Sequence, residues 1–352
     1  MRLHMSSIKV GLIGCGRIVQ QVHLNILTHM SGVDLVALAE VDPERRKQAA
    51  LRAPGARSFA DYRELLEAPE VTAVIICLPN ALHAEAAVAA FQKGKSVYLE
   101  KPLATNLGDA NRVVECWRQA DVVGMIGFNY RFHALYQEAR LQIDSGRLGD
   151  TICGRSVFSS MSRNLPAWKQ NRQDGGGVLL DLASHHIDLI HFLFGQRVNN
   201  VFANICSQDF EGDSAILQLE LDDGLIVQSF FSMKAIDEDV FEIYGDKGKI
   251  RIDRYHSLNV EFSDPAIDFS LIRRMGRKLR RLAGSPYLLD KIRGTGREPS
   301  YQLALSHFIS SVRANRSAQP DILDGLRSLA VVEAAERSAR TGRRVLVEDP
   351  AK

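Results

Sequence analysis

The sequence predicts an α/β unit with a parallel sheet, followed by an α+β unit with a mostly antiparallel sheet. Three observations predict it. Over the first 125 residues, short runs that are apolar throughout alternate with helical patterns. From about residue 150 onward, strand-like runs follow one another across turn residues, with hardly any helix between them. A chain of 352 residues also exceeds what one compact core usually holds. The pattern changes near Phe128, so the expected domains are 1–127 and 128–352.

In order, Ile8–Ile13 reads as a strand, followed by a glycine turn and a helix over Ile18–Met30. Val33–Ala39 is a second strand and Pro43–Ala53 a helix. A short helix, Tyr62–Glu67, precedes the strand Ala73–Leu78. Ala81–Lys93 is helical and stops at Gly94, a C-terminal cap. Ser96–Glu100 is a strand, Leu107–Gln119 a helix and Val122–Ile126 a strand. Apolar strands separated by helices give the doubly wound nucleotide-binding architecture, a Rossmann domain. After a helix over Ala134–Ser145 come strands at Ile152–Ser159, Asn200–Cys206, Ala215–Leu221, Leu225–Met233, Val240–Gly245 and Gly248–Ile252. Asp222-Asp223-Gly224 and Asp246-Lys247-Gly248 mark hairpins between them. Helical patterns at Leu179–Phe194, Gln302–Asn315 and Asp324–Thr341 complete the chain.

Composition is that of an ordinary globular chain, 45% hydrophobic and 24% charged with net charge +2, and gives no reason to expect nucleic acid. The five cysteines, Cys15, Cys77, Cys116, Cys153 and Cys206, are scattered without CxxC spacing, as in a chain with reduced thiols and neither disulfides nor zinc. No apolar run is long enough to span a bilayer, and the opening MRLHMSS lacks the apolar core of a signal peptide. The expected location is cytoplasmic.

The first constellation concerns a dinucleotide. Gly14-Cys15-Gly16 follows the first strand, where glycines let backbone N–H groups approach a pyrophosphate, with Arg17 and Ile18 opening the helix. Val19 occupies the place of the third small residue of GxGxxG. Glu40 ends the second strand, where a carboxylate accepts hydrogen bonds from ribose hydroxyls and repels a 2′-phosphate, which favours NAD over NADP. Asp42 competes for that role, and Arg45 and Arg46 soften the preference. Pro79, Asn80 and His83 follow the third apolar strand, with His83 placed either to line the nicotinamide side or to cap its helix.

The second constellation concerns chemistry. Glu100-Lys101-Pro102 puts an ammonium at the carboxyl end of a buried strand, where it can stabilise a developing alkoxide, with Glu100 beside it to tune that charge. Gly175-Gly176-Gly177 permits close approach of backbone to a ligand. On the following helix, Asp181, His185 and Asp188 share one face, an arrangement suited to proton transfer. His186 points elsewhere, so His185 is the candidate base, and divergence of the two histidines argues against a metal. Asn129, Tyr130 and Arg131 lie at the domain crossing, and Arg163, Asn164, Trp168 and Lys169 in a polar loop; all are candidates for substrate contact.

Taken together, the glycine turn, Pro79-Asn80-Ala81-Leu82-His83, Glu100-Lys101-Pro102 and the run from Gly175 to His185 resemble the glucose–fructose oxidoreductase/inositol dehydrogenase/MocA family. That resemblance implies a Rossmann domain plus an open-faced sheet domain, with Lys101 holding a substrate hydroxyl, His185 taking its proton and Asp181 assisting. It implies hydride transfer between NAD and a carbinol or keto carbon of a sugar, cyclitol or nucleotide sugar, and a homodimer or homotetramer joined through the sheet. It also implies a cis bond between Lys101 and Pro102.

Two other activities stay open: glycoside cleavage through transient oxidation of a sugar carbon, and a non-catalytic dinucleotide-sensing regulator. The segment 268–295 departs from the family pattern. Within it Phe269, Ile272, Met275, Leu279 and Leu282 recur at near-helical spacing among basic side chains. The stretch 269–282 reads as an insertion packed on protein, a site for a sugar diphosphate, or a peripheral contact with an anionic membrane.

Overall fold

A computed structural model describes residues 7–161, 165–264 and 298–348. Ile8–Ile13 (β1), Val33–Ala39 (β2), Arg57–Phe59 (β3), Ala73–Ile76 (β4), Ser96–Leu99 (β5) and Gly124–Ile126 (β6) form a parallel sheet in the order β3-β2-β1-β4-β5-β6. The order reverses between β1 and β4, the point at which such sheets bind ligands beyond the carboxyl ends of their strands. β4 and β5 are buried at every position, which is why they read as unbroken apolar runs. Leu24–His29 (α1), Pro43–Arg52 (α2), Tyr62–Leu66 (α3), His83–Gln92 (α4) and Leu107–Ala120 (α5) accompany the strands. Asp42 and Asn106 cap α2 and α5 by accepting from the N–H groups of Arg45 and Asp109.

The chain then crosses through a 3-10 turn, Asn129–Phe132, and a helix, Ala134–Asp144 (α6). The second half holds Thr151–Ser159 (β7), Ser184–Phe194 (α7), Val198–Cys206 (β8), Ser214–Leu221 (β9), Ile226–Ser232 (β10), Glu238–Gly245 (β11), Gly248–Asp253 (β12) and Glu261–Ser263 (β13). Pro299–Ala314 (α8), Ile322–Thr341 (α9) and Val345–Leu346 (β14) complete it. The second sheet runs β13-β12-β11-β7-β10-β9-β8-β14. Its pairs are antiparallel except β7 with β10. Period-two burial along β9 shows one face packed and the other turned outward.

Three features depart from the sequence pattern. The expected helices Ile18–Met30 and Leu179–Phe194 each open with a wider π turn, Val19–His23 and Leu179–Ala183, before becoming α1 and α7. Such turns recur at functional sites, and here they carry His23 and Asp181. α8 lies with the first sheet: Ala304, Leu305, Phe308 and Ile309 share a buried cluster with Val10, Leu12, Leu24 and Tyr98. Residues beyond 298 therefore complete one face of the N-terminal core. An amphipathic pattern announces an apolar face without naming what will cover it. Among the described residues, no helix is long and apolar enough to cross a membrane.

Candidate active site

The carboxyl ends of β1, β4 and β5 lie side by side, and the loops that follow them build the site. After β1, Gly14 turns the chain at φ +84°, and a Cβ there would lie 2.5 Å from the Cys77 carbonyl oxygen. Only glycine serves at that position. A Cβ on Gly16, by contrast, would meet no protein atom within 4 Å, so its backbone borders open space as a pyrophosphate cradle requires. Glu40, 7% exposed, accepts from the Cys15 N–H at 2.7 Å, which fixes a carboxylate beside the glycine turn. Asp42 is spent capping α2, so it does not compete with Glu40. Arg45 bonds the Glu40 carboxylate at 2.9 Å and Arg46 its carbonyl at 2.6 Å; both guanidinium groups are thus drawn to Glu40. The residues fit the adenosine ribose of NAD. Arg17 and Pro79 are exposed on this rim and Ile18 is half-buried.

After β5, Lys101 follows Glu100 through a cis bond to Pro102. Its Nζ donates to the Asp181 carbonyl oxygen at 2.6 Å and lies 3.3 Å from Asp181 Oδ1. Lys169 reaches both oxygens of the same carboxylate at 2.9 Å. Burial alone would raise the Asp181 carboxyl, but Lys101 and Lys169 together hold it below the usual range. Burial pushes the Lys101 ammonium down, against the pull of Asp181. His185 is 8% exposed; burial, with Lys101 and Arg254 adding to it, holds its imidazole well below the ordinary value of 6.5, while Asp181 opposes them. The structure therefore gathers an ammonium, a clamped carboxylate and a neutral imidazole at one strand end.

Several sequence expectations are corrected by the bonds the residues make. Glu100 acts on the Lys101 ammonium through space, as expected, while its Oε1 bonds buried His23 Nε2 at 2.7 Å. Asp188 does not serve His185, because Arg131 grips it through Nε and Nη2 at 2.8 and 2.6 Å and also reaches Asp324. Arg131 thus ties α7 and α9 to the crossing between the two halves. Asn129 is fully buried and donates to Ser300 Oγ at 2.8 Å, so it too faces the interior. Tyr130 is 6% exposed and stacks on His185 at a centroid distance of 4.4 Å; it lies beneath the imidazole.

The His83 side chain does not cap α4. Its two ring nitrogens lie 2.8 and 2.6 Å from the carbonyls of Leu78 and Pro102, joining the loops after β4 and β5. The three glycines approach the protein's own chain: a Cβ on Gly175 would lie 2.7 Å from Asn80 Cβ and Thr105 Cγ2, and one on Gly176 would strike the Lys169 carbonyl. Asn80, 7% exposed, donates to the Gly175 carbonyl at 2.8 Å and so fastens that turn to the cofactor loop.

Trp168 is half-buried with the Lys169 ammonium over its ring at 5.5 Å. His186 turns away from His185 and meets Asp239 at 3.2 Å. Arg163, Asn164 and the basic stretch 269–282 lie outside the described residues. Sequence reasoning missed His23 and Arg254, and gave Lys169 to substrate when it holds Asp181. Nothing in the local sequence ties His23 to a carboxylate 77 residues away.

Comparisons with known proteins identify the family. Residues 8–128 match the family model described as oxidoreductase family, NAD-binding Rossmann fold, and residues 140–347 match the oxidoreductase family, C-terminal alpha/beta domain. The chain is 27% identical to myo-inositol 2-dehydrogenase of Thermotoga maritima, over 97% of this chain and 99% of that one. It is 29% identical to 1,5-anhydro-D-fructose reductase of Ensifer adhaerens, over 96% and 98% of the two chains. The crystal structure of the WlbA dehydrogenase from Bordetella pertussis, in complex with NADH and UDP-GlcNAcA, superposes with a TM-score of 0.82 at 25% identity, covering 97% of this chain and 98% of that one. With both of its domains matched, the chain belongs to the Gfo/Idh/MocA family of NAD-binding oxidoreductases.

Proposed function

We propose that the protein moves hydride between NAD and a carbinol or keto carbon of a sugar, cyclitol or nucleotide sugar, with Lys101, Asp181 and His185 handling the hydroxyl proton. The observation that carries this reading is the convergence of Lys101 and Asp181 beside neutral His185 at the carboxyl end of β5. Bound here, NAD would supply the hydride acceptor for the carbinol carbon. Gly14 and Gly16 would hold its pyrophosphate and Glu40 its adenosine ribose. Lys101 donates to the reacting oxygen and stabilises the alkoxide that develops there. His185, neutral before reaction, accepts the hydroxyl proton, and in the reverse direction returns it. Asp181 keeps the Lys101 ammonium aimed through its carbonyl and carboxylate oxygens. Lys169 keeps that carboxylate ionised and fixed.

Support for the substrate class comes from the relatives. Those named myo-inositol 2-dehydrogenase and 1,5-anhydro-D-fructose reductase point to polyhydroxylated rings, and the WlbA complex to a nucleotide sugar. A homo-oligomer joined through the outer face of the second sheet belongs to the same reading. Ile216 and Phe202 stand 57% and 37% exposed there, with Phe230 paired opposite Ile216. Incubation with NAD and a panel of cyclitols, aldoses and nucleotide sugars, followed by NADH absorbance and mass analysis of products, tests the proposal. Formation of NADH with a matching keto product supports it. Glycan release without net NADH points to cleavage through transient oxidation, and NAD binding without any turnover points to a sensor.

A further inference from the structure

A histidine base is commonly oriented by a carboxylate on its second nitrogen. His185 has none. Asp181 is held by Lys101 and Lys169, and Asp188 by Arg131. Nδ1 of His185 is buried and has no hydrogen-bond partner among the described residues. The ring stacks on Tyr130, whose plane lies 17° from its own at a centroid distance of 4.4 Å, and meets Phe128 and Phe158 more distantly, at 6.5 and 6.3 Å. The guanidinium carbon of Arg254 also lies over the Tyr130 ring, 4.4 Å from its centroid. Tyr130 thus contacts both the imidazole and the guanidinium, and Tyr136 stacks on it as well at 6.1 Å. Arg254 is itself anchored, donating to Asp239 Oδ2 and Glu298 Oε2 at 2.7 Å each. Tyr136 and His186 meet the other oxygen of Asp239.

We propose that Arg254 and Tyr130 form a positioning stack that fixes the orientation of His185 and keeps it neutral, in place of the usual carboxylate. An aromatic face attracts a cation through its quadrupole, and an imidazolium resting on Tyr130 would gain that attraction. Arg254 already rests on this ring, so a second cation there meets a polarised ring and like charge. The other charged or titratable groups facing His185 are Lys101 from the loop after β5, and Asp181 and His186 from its own helix. Lys101 acts in the same sense as Arg254, and Asp181 opposes both. The role of His185 as base rests on the proposed function; its orientation and charge in the free protein do not.

The test is a titration of His185 in the apo protein by nuclear magnetic resonance on a histidine-labelled sample, with the signal assigned by its loss in His185→Gln. In Arg254→Gln, His185 is expected to titrate about one pH unit higher than in the wild type; in Tyr130→Leu, where the face that attracts a cation is lost while Arg254 stays anchored, it is expected to titrate lower. Tyr130→Phe, which keeps the ring, is expected to titrate as the wild type does. Because Arg254→Gln leaves Asp239 without its cation, the double variant Asp239→Asn with Arg254→Gln is measured beside it and is expected to show the same rise. The acid limb of the kcat/KM profile should move in the same direction. Folded Arg254→Gln and Tyr130→Leu proteins whose His185 titrates as in the wild type overturn the stack, even if the enzyme is an active dehydrogenase. Absence of turnover in a wild type with normal titration removes the proposed function and leaves the stack standing.

Discussion

Replacing Lys101 with methionine separates binding from chemistry. The side chain is 13% exposed and ends 2.6 Å from the Asp181 carbonyl, in the position from which a reacting oxygen would be stabilised. An ammonium and an alkoxide about 3 Å apart attract by about 5 kcal/mol at an effective dielectric of about 20. Lys169, held on the same carboxylate, supplies part of that charge from farther away. The loss should therefore be about 4 kcal/mol, or a fall in kcat on the order of a thousandfold. Methionine costs less to bury than an ammonium, and Asp181 keeps both bonds to Lys169, so the melting temperature should not fall. NAD affinity, read by quenching of protein fluorescence, should stay within about threefold, because the cofactor-holding residues Gly14, Gly16 and Glu40 are untouched. A kcat within about tenfold of the wild type would refute the assignment of Lys101 to the alkoxide.

Other outcomes follow from the same geometry. Glu40→Ala removes the ribose-facing carboxylate and releases Arg45, so NAD should bind about tenfold more weakly and NADP more tightly, as measured by competitive titration. Gly175→Ala puts a Cβ 2.7 Å from Asn80 Cβ at φ +89° and should destabilise the fold by about 1–3 kcal/mol in urea unfolding. Burial, with Arg131 nearby, holds His191 at about 4, against 6.5 for the free side chain. Below 6.5 the unfolded chain takes up a proton that the folded one refuses, so stability falls as pH drops towards 4; between pH 7 and 5 this single group should cost about 2 kcal/mol. A His191→Gln variant should flatten that part of the urea midpoint profile.

The first sheet was legible because its central strands are buried on both faces and leave unbroken apolar runs, punctuated by Gly14, Gly94 and a capping Asp42. β3 and β14 were not, since two or three half-exposed residues carry no period. The two π turns were hidden because an apolar helix start looks the same whether its first turn closes at four residues or five. At the site, Lys101, Asp181 and His185 could be named because each sits at a strand end or a helix start marked by its neighbours. The partners of buried charges could not. Arg131 reaches Asp188 across 57 residues and Asp324 across 193, and a sequence gives no sign of which carboxylate a guanidinium will choose. Asn129, Tyr130 and Arg131 looked like ligand contacts because they lie at the crossing; polar side chains there are equally suited to holding the crossing together.

The central claim is that hydride passes directly between a substrate carbon and the nicotinamide beside Lys101 and His185. Its most direct test is single-turnover transfer from a substrate of the panel carrying deuterium at the carbinol carbon, with mass spectrometry of the cofactor. The account predicts one deuterium at nicotinamide C4 of the reduced cofactor in the wild type and no measurable transfer in Lys101→Met within the same time. A substrate that turns over while the nicotinamide gains no deuterium would contradict it.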